Sequence, residues 1–420
     1  MKNVMSHKIS TGVSLPITII SASIFLLPGL LLWTPNFSVG VGLLIVIYSL
    51  YYCARNRSNL TLNKYDLLVL AIFTSYLLAN IPITIMDESN LRYIDAPSRI
   101  LLFFPVYLMF KRELPNLNAR FHLEHGVIIG AIGAFIISIY QYYILGLPRV
   151  DGFLFSINFG YLSCSLALMN LCLIKNSDRK KLLILGFLCA SIATTLTLTR
   201  GAIFAIPLLL LLLGWVYRKE VNNRILILSV SSFVFASVLL YFSSPGVQER
   251  VDFTTSEFSS ILSGNIAESS SSGGRLQLWY ASTEAFTKRP LIGLTHSERE
   301  ALNIELFESG AVTEWVTSVS RGHAHSQYFE MLASNGILSI ITIIFLFGIT
   351  IYLMSKNMSS IFSVAGIIFI SGIAIFGLTE VLLQANIINV YFGFFLAFFL
   401  ASSLYGTKEQ RGLLPPEQSS

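Results

Sequence analysis

Charge is scarce in this chain. Asp, Glu, Lys and Arg make up 12% of its 420 residues, where a soluble domain carries about 25%. Hydrophobic residues reach 54% and the mean hydropathy is +0.69. That balance excludes an ordinary water-soluble globule and points to an all-α polytopic membrane protein. Cysteine is scarce too. Cys53, Cys164, Cys172 and Cys189 all fall in apolar stretches, none in CxxC spacing, so buried inert thiols are expected rather than a disulfide framework or a zinc site. No GxxxxGK[ST] phosphate loop, strand periodicity, internal repeat or small-residue cleavage site is found. The first apolar run is therefore expected to be retained as a span.

What is present is a succession of apolar runs, each near the roughly 20 residues needed to cross a bilayer. About twelve spans are expected: Leu15–Trp33, Val39–Cys53, Asp66–Ile85, Ile100–Phe110, Val127–Leu145, Phe153–Ile174, Leu182–Leu198, Ala202–Tyr217, Ile225–Phe242, Ile337–Met354, Ile361–Leu378 and Ile387–Tyr405. Ile100–Phe110 is short unless it starts near Ala96. With the N-terminus inside, one set of loops carries Lys2, Lys8, Arg55, Arg57, Lys64, Lys111, Arg112, Arg120, Lys175 and Arg179 to Lys181, and later Arg218, Lys219, Arg224, Lys356, Lys408 and Arg411. The short loops opposite hold only Arg92, Arg99, Arg149 and Arg200. This positive-inside asymmetry predicts that both termini are cytoplasmic. It also accounts for the net charge of +5 without a nucleic-acid partner.

The expected domains are residues 1–242, nine membrane helices; 243–324, a large outward loop; 325–405, three further helices; and 406–420, a cytoplasmic tail. Within the loop, Thr254–Gly274 is rich in Ser and Gly and reads as flexible. Arg275 to Phe286 reads as a helix with Leu276, Trp279, Tyr280 and Phe286 on one face and Pro290 after its end. A second helix is expected from Ser297, where Ser297-x-x-Glu300 has capping-box form, to Gly310. Together these form a small helical cap.

The outward arginines carry the first chemical signal. A cation at the hydrocarbon edge is costly unless paired or hydrated, and guanidinium forks match phosphate oxygens. Arg92 reads as a solvated loop charge. Arg99 either pairs with Asp95 one turn away or serves the site, and Arg149 either pairs with Asp151 or does the same. Arg200, in Leu198-Thr199-Arg200-Gly201-Ala202, has no acid within a turn, which favours function. Arg275 stands at a helix start, where the dipole disfavours it. Arg321 precedes a histidine cluster, Arg321-Gly322-His323-Ala324-His325-Ser326, at the mouth of a span. Arginines converging from separate spans would bind a pyrophosphate.

His323 and His325 would share a face of an extended segment, as metal ligands might, but no third Cys, His or acid stands at ligand spacing, so no metal is expected. One imidazole, His325 before His323, would instead guide or take a hydroxyl proton. Glu330 and Glu380 interrupt apolar surroundings and would pair with arginines or orient the histidine. His296, in the cap, reads as solvent-exposed.

These residues resemble a known family. His325-Ser326, nine further residues and Gly336 resemble the histidine signature of bacterial O-antigen ligases. Thr199-Arg200-Gly201 resembles their outward arginine motif. Gly274-Arg275 with Trp279, and Pro290-Leu291-Ile292-Gly293, resemble the start of their large periplasmic loop. Ile337 replaces the valine sometimes seen after the glycine. The resemblance implies transfer of a polysaccharide from undecaprenyl pyrophosphate to a sugar hydroxyl of lipid A–core, at the periplasmic face of the bacterial inner membrane. It implies inversion, no metal or other cofactor, and a membrane glycosyltransferase fold of the C type. The motifs are shared with O-antigen polymerases and protein O-oligosaccharyltransferases. Arg200 and Arg275, then Arg321, would stabilise the leaving pyrophosphate, with Arg99 and Arg149 beside them. A rival of another class, a transporter of lipid-linked glycans, should show midplane charges and repeated halves, and neither is found.

Overall fold

The computed structural model describes residues 14–405 apart from 89, 219–230, 232, 233, 236, 237, 239, 240, 243, 244, 267, 268 and 270. Among these, every regular element is helical. The first group is α1 Leu15–Gly29, α2 Phe37–Arg55, α3 Lys64–Met86, α4 Arg92–Leu101, α5 Phe104–Glu113, α6 Ala119–Ile139, α7 Ser156–Cys172, α8 Lys180–Leu196 and α9 Arg200–Val216. The cap holds α10 Pro245–Leu262, α11 Ser272–Lys288 and α12 His296–Glu308. Then follow α13 Gln327–Asn335, α14 Leu338–Ser355, which contains a π-helical turn, α15 Ile361–Phe376 and α16 Asn386–Ser402. The expected span Ile225–Phe242 lies largely outside the described residues, as do most of the N-terminal segment and the tail 406–420.

Among the described residues, five stretches are long and apolar enough to cross a membrane: Phe37–Arg55, Lys64–Met86, Arg92–Asn116, Ala119–Ile144 and Leu338–Ser355. Leu15–Gly29, Arg200–Val216, Ile361–Phe376 and Asn386–Ser402 are shorter apolar helices. The architecture is that of a polytopic helical membrane protein. Its centre is α16, buried along its length from Ile387 to Ser402. A helix apolar on every side belongs inside a bundle. Phe110 of α5 packs edge-on against Phe394 and Phe398 of α16, at 5.5 and 5.9 Å between centroids.

Some expected boundaries move. The short span at Ile100 is two helices, α4 and α5, broken between Leu101 and Phe104, just before Pro105 at the second position of α5. Helix α6 begins at Ala119, well before Val127, because Arg120 and Glu124 pair at 2.7 Å one turn apart and make its polar start tolerable. The Thr254–Gly274 stretch is not all flexible: α10 runs through it to Leu262, its apolar positions hidden among serines and threonines. The second cap helix is closed by Thr295 and Glu298 in a reciprocal capping box, not by Ser297 and Glu300. Gly310 does take the left-handed conformation expected at its end, with φ of 76°.

The cap is fastened to the bundle by backbone. Leu294 N–H donates to Ala333 O and Ile337 N–H donates to Pro290 O, each at 2.8 Å. Gly293 and Gly336 both have positive φ, and a Cβ on either would lie 2.4 Å from the opposite backbone. Only glycine permits so close an approach in that conformation. At the first residue of α12, His296 N–H donates to the Tyr93 hydroxyl at 2.8 Å and its ring stacks on Tyr93 at 4.3 Å.

Candidate functional site

Two clusters meet where the cap joins the bundle. The first is cationic. Arg200 is the first residue of α9, behind Thr199 as N-cap and Leu198 with φ of 52°. Its Nη1 donates to Glu257 Oε2 at 2.9 Å and its Nη2 to the Ser271 hydroxyl at 2.7 Å. The reading of Arg200 as unpaired is thus corrected: its acid comes from α10, too distant in the chain for a local search. Glu257 also accepts the Ser271 and Ser272 N–H groups at the head of α11, at 2.6 and 3.0 Å. Burial raises the Glu257 pKa, but Arg200 and these donors outweigh it and hold it below the usual carboxylate range.

Arg149 does not pair with Asp151. It donates to Thr197 O at 2.9 Å and to the Thr199 hydroxyl at 3.3 Å, while Asp151 accepts from Gln141 at 2.9 Å. Burial, then the charges of Arg200 and Arg275, push the Arg149 pKa down. Arg250 of α10 was not singled out from sequence, yet it joins the group. Burial, then Arg200 and Arg149, depress it as well. Its Nε is buried without a partner among the described residues, and its guanidinium lies 5.2 Å from the Phe253 ring centroid. The one usable signal was its place in the outward loop. The guanidinium of Arg275, half-buried in the first turn of α11, makes no hydrogen bond or ion pair among the described residues. Arg149 and Arg250 thus each feel the charges of Arg200 and Arg275, with one carboxylate, Glu257, bonded to Arg200: an excess of positive charge suited to a polyanion.

The second cluster is built on the histidine loop. His325, with φ of 47°, places Nδ1 3.4 Å from Glu380 Oε2. His325 N–H donates to His323 Nδ1 at 3.3 Å, and the two rings lie 4.6 Å apart. Burial lowers the His323 pKa. Burial raises that of Glu380, but the contact with His325, the Val381 N–H and the nearby His323 together outweigh it, and the carboxylate sits below its usual range. Ala324, between the histidines, is pinned at both ends: its N–H donates to Glu330 at 2.8 Å, and its carbonyl accepts from Trp279 Nε1 at 3.1 Å. Trp279 in turn stacks on Phe329 at 5.0 Å. Glu330 is buried against Arg299 at 2.6 Å; burial raises its pKa, but the Arg299 charge and hydrogen bond, His323 and the Ala324 N–H together outweigh it and hold it down to about 2. Arg299 also bonds Ser334 at 2.8 Å and the Gly322 carbonyl. Sequence reasoning missed Arg299 because its acid lies a helix away.

His323, His325 and Glu380 bring ligand atoms within 4.8 Å of one another. The expectation that nothing completes a metal-type triad is thereby corrected: Glu380 supplies the third group, from a different segment. The same geometry equally serves an imidazole oriented by a carboxylate.

The clusters adjoin. Gly201, next to Arg200, is so close to Tyr161 and Thr379 that a Cβ would stand 2.3 Å from the Tyr161 hydroxyl and 2.5 Å from that of Thr379. Thr379 precedes Glu380, and its hydroxyl is 2.6 Å from that of Tyr161. Arg99 stays apart, paired with Asp95 at 2.7 Å. Arg321, with φ of 59°, lines a cavity of about 570 Å³ together with His323 and His325, and none of the four arginines lines it. His296 lines the same cavity, half-buried rather than freely exposed.

A polytopic helical membrane protein with a helical cap and an anion-suited site at their junction is the class defined here. Residues 185–344 match the family model described as O-antigen ligase, which supports membership of the O-antigen ligase/polymerase superfamily. The chain is also 22% identical over 362 residues to a protein of Haemophilus influenzae described as uncharacterized, covering 82% of this chain and 88% of the relative.

Proposed function

We propose that the protein is an O-antigen ligase, a glycosyltransferase of lipopolysaccharide biosynthesis. It moves a polysaccharide from undecaprenyl pyrophosphate to a sugar hydroxyl of lipid A–core at the periplasmic face of the inner membrane. The observation that carries this reading is the gathering of Arg149, Arg200, Arg250 and Arg275 beside the His325–Glu380 pair. The acceptor oxygen attacks the anomeric carbon, the bond to the pyrophosphate oxygen breaks, and the leaving group keeps the electron pair. Guanidinium groups fixed around that oxygen stabilise the growing charge. His325 donates Nδ1–H to Glu380, leaving Nε2 to take the acceptor proton. The 3.4 Å separation tightens when substrate excludes water.

The reading carries with it inversion, independence from metal and nucleotide, a C-type glycosyltransferase fold with about twelve crossings, and cytoplasmic termini. In it, residues 1–242 and 325–405 form the membrane body, 243–324 the periplasmic cap and 406–420 a cytoplasmic tail. Arg99 and Arg321 are then not part of the pyrophosphate seat. The test is a reconstituted assay with purified protein, lipid-linked donor and lipid A–core. Product without an ion gradient supports ligation; polymer growth on the lipid carrier means a polymerase, and product on protein alone an O-oligosaccharyltransferase.

A further inference from the structure

The cavity beside His325 has a charge pattern that the transferase reading leaves unused. Its volume of about 570 Å³ is that of a small-molecule site. One wall comes from α3 and α4, the other from α12, α13 and the histidine loop. Two acids line it, and both are already engaged. Asp95 is held by Arg99 at 2.7 Å and Glu330 by Arg299 at 2.6 Å, and neither of those arginines faces the cavity. Arg92 and Arg321 do face it. Their backbone N–H groups are bonded, to Asn90 and to the Glu300 carboxylate, but among the described residues their guanidinium groups make no hydrogen bond or ion pair. His296 brings no charge at neutral pH, since burial and then Arg299 press its pKa down to about 4. The cavity is therefore net positive, with two free forks.

Position assigns the occupant. None of the four clustered arginines lines this cavity, whereas His323 and His325 do. In an inverting displacement the nucleophile approaches opposite the leaving group, so the acceptor must come from the side of His325 away from the diphosphate. We propose that this cavity seats the acceptor glycan and selects one carrying an anionic group, a phosphate or a carboxylate, bound by Arg92 and Arg321. The inference rests on the transferase reading and adds to it the chemistry of the acceptor.

The test uses full-length protein in lipid nanodiscs with lipid-linked donor and three acceptors: the untreated core glycolipid, the same after phosphatase treatment, and the same with its carboxylates reduced. Wild type should lose roughly tenfold or more in kcat/KM, mainly through KM, on one of the treated acceptors, and which one identifies the anion. The double variant Arg92→Gln, Arg321→Gln should no longer distinguish them, and the Arg92→Lys, Arg321→Lys pair should recover part of the preference. Thermal melting of each variant guards against misfolding; should the glutamine pair fail to fold, the wild-type acceptor series decides alone. Equal use of all three acceptors by wild type, or undiminished discrimination by a folded glutamine pair, overturns the inference and leaves ligation standing. Absence of transfer from wild type to any acceptor overturns both.

Discussion

Among the arginines, those with and without a partner should behave differently when removed. Arg275 has none among the described residues, so Arg275→Ala should abolish most transfer while moving the thermal midpoint of the purified protein little. Arg200 neutralises Glu257, whose side chain is 2% exposed. Arg200→Ala should therefore lose both activity and stability, the latter by about 3–5 kcal/mol, the usual cost of stranding a buried charge. An Arg275→Ala protein of full activity would remove it from the site. If His325 is the base, as proposed, His325→Ala should lower the transfer rate by roughly 10²–10⁴, the range of general-base contributions, with the protein still inserted in membranes. Much of this scale was hidden in the sequence. Arg200 and His325 drew notice through their surroundings, but Glu257, Arg299 and Arg250 act across folds of the chain that local spacing does not report. Arg149 beside Asp151 shows the converse: neighbours in sequence, each bonded elsewhere.

Among the elements, the docking of α12 on α4 is where pH should act. His296 has its pKa depressed to about 4 from 6.5. Between those values the unfolded or undocked state binds more protons, so docking is fully stable above pH 6.5 and weakens as pH falls toward 4. Hydrogen exchange of α12 amides should quicken across that window; constant protection would contradict the assignment. At the other fastening, Gly336→Ala should lower the thermal midpoint, since the left-handed backbone and the Pro290 carbonyl leave no room for a methyl group. A loss of about 1–3 kcal/mol is expected. The long apolar helices were legible because their composition leaves them no alternative in a bilayer. Helix α10 was not, because its serines and threonines read as a linker while its packing partners, α11 and Arg200, lie elsewhere in the chain.

For the whole molecule, the choice between a carboxylate-oriented base and a metal centre falls to His323, His325 and Glu380. Treatment with a chelator should leave reconstituted transfer unchanged. Inhibition reversed by a divalent ion would instead make this triad a ligand set and take the proton from His325. That the chain is a polytopic helical membrane protein was readable from hydropathy. What hydropathy does not carry is the convergence at the seam, where groups from α7, α9, α10, α11, the histidine loop and the segment after α15 lie side by side.

The peptide of Ala324 is gripped from opposite directions, its N–H by Glu330 of α13 and its carbonyl by Trp279 of the cap. A cap that swung away like a lid would break the Trp279 bond to Ala324 and loosen the imidazoles on either side of it. On the transferase reading, lipid-borne substrates would then enter sideways between helices rather than under a lifted cap.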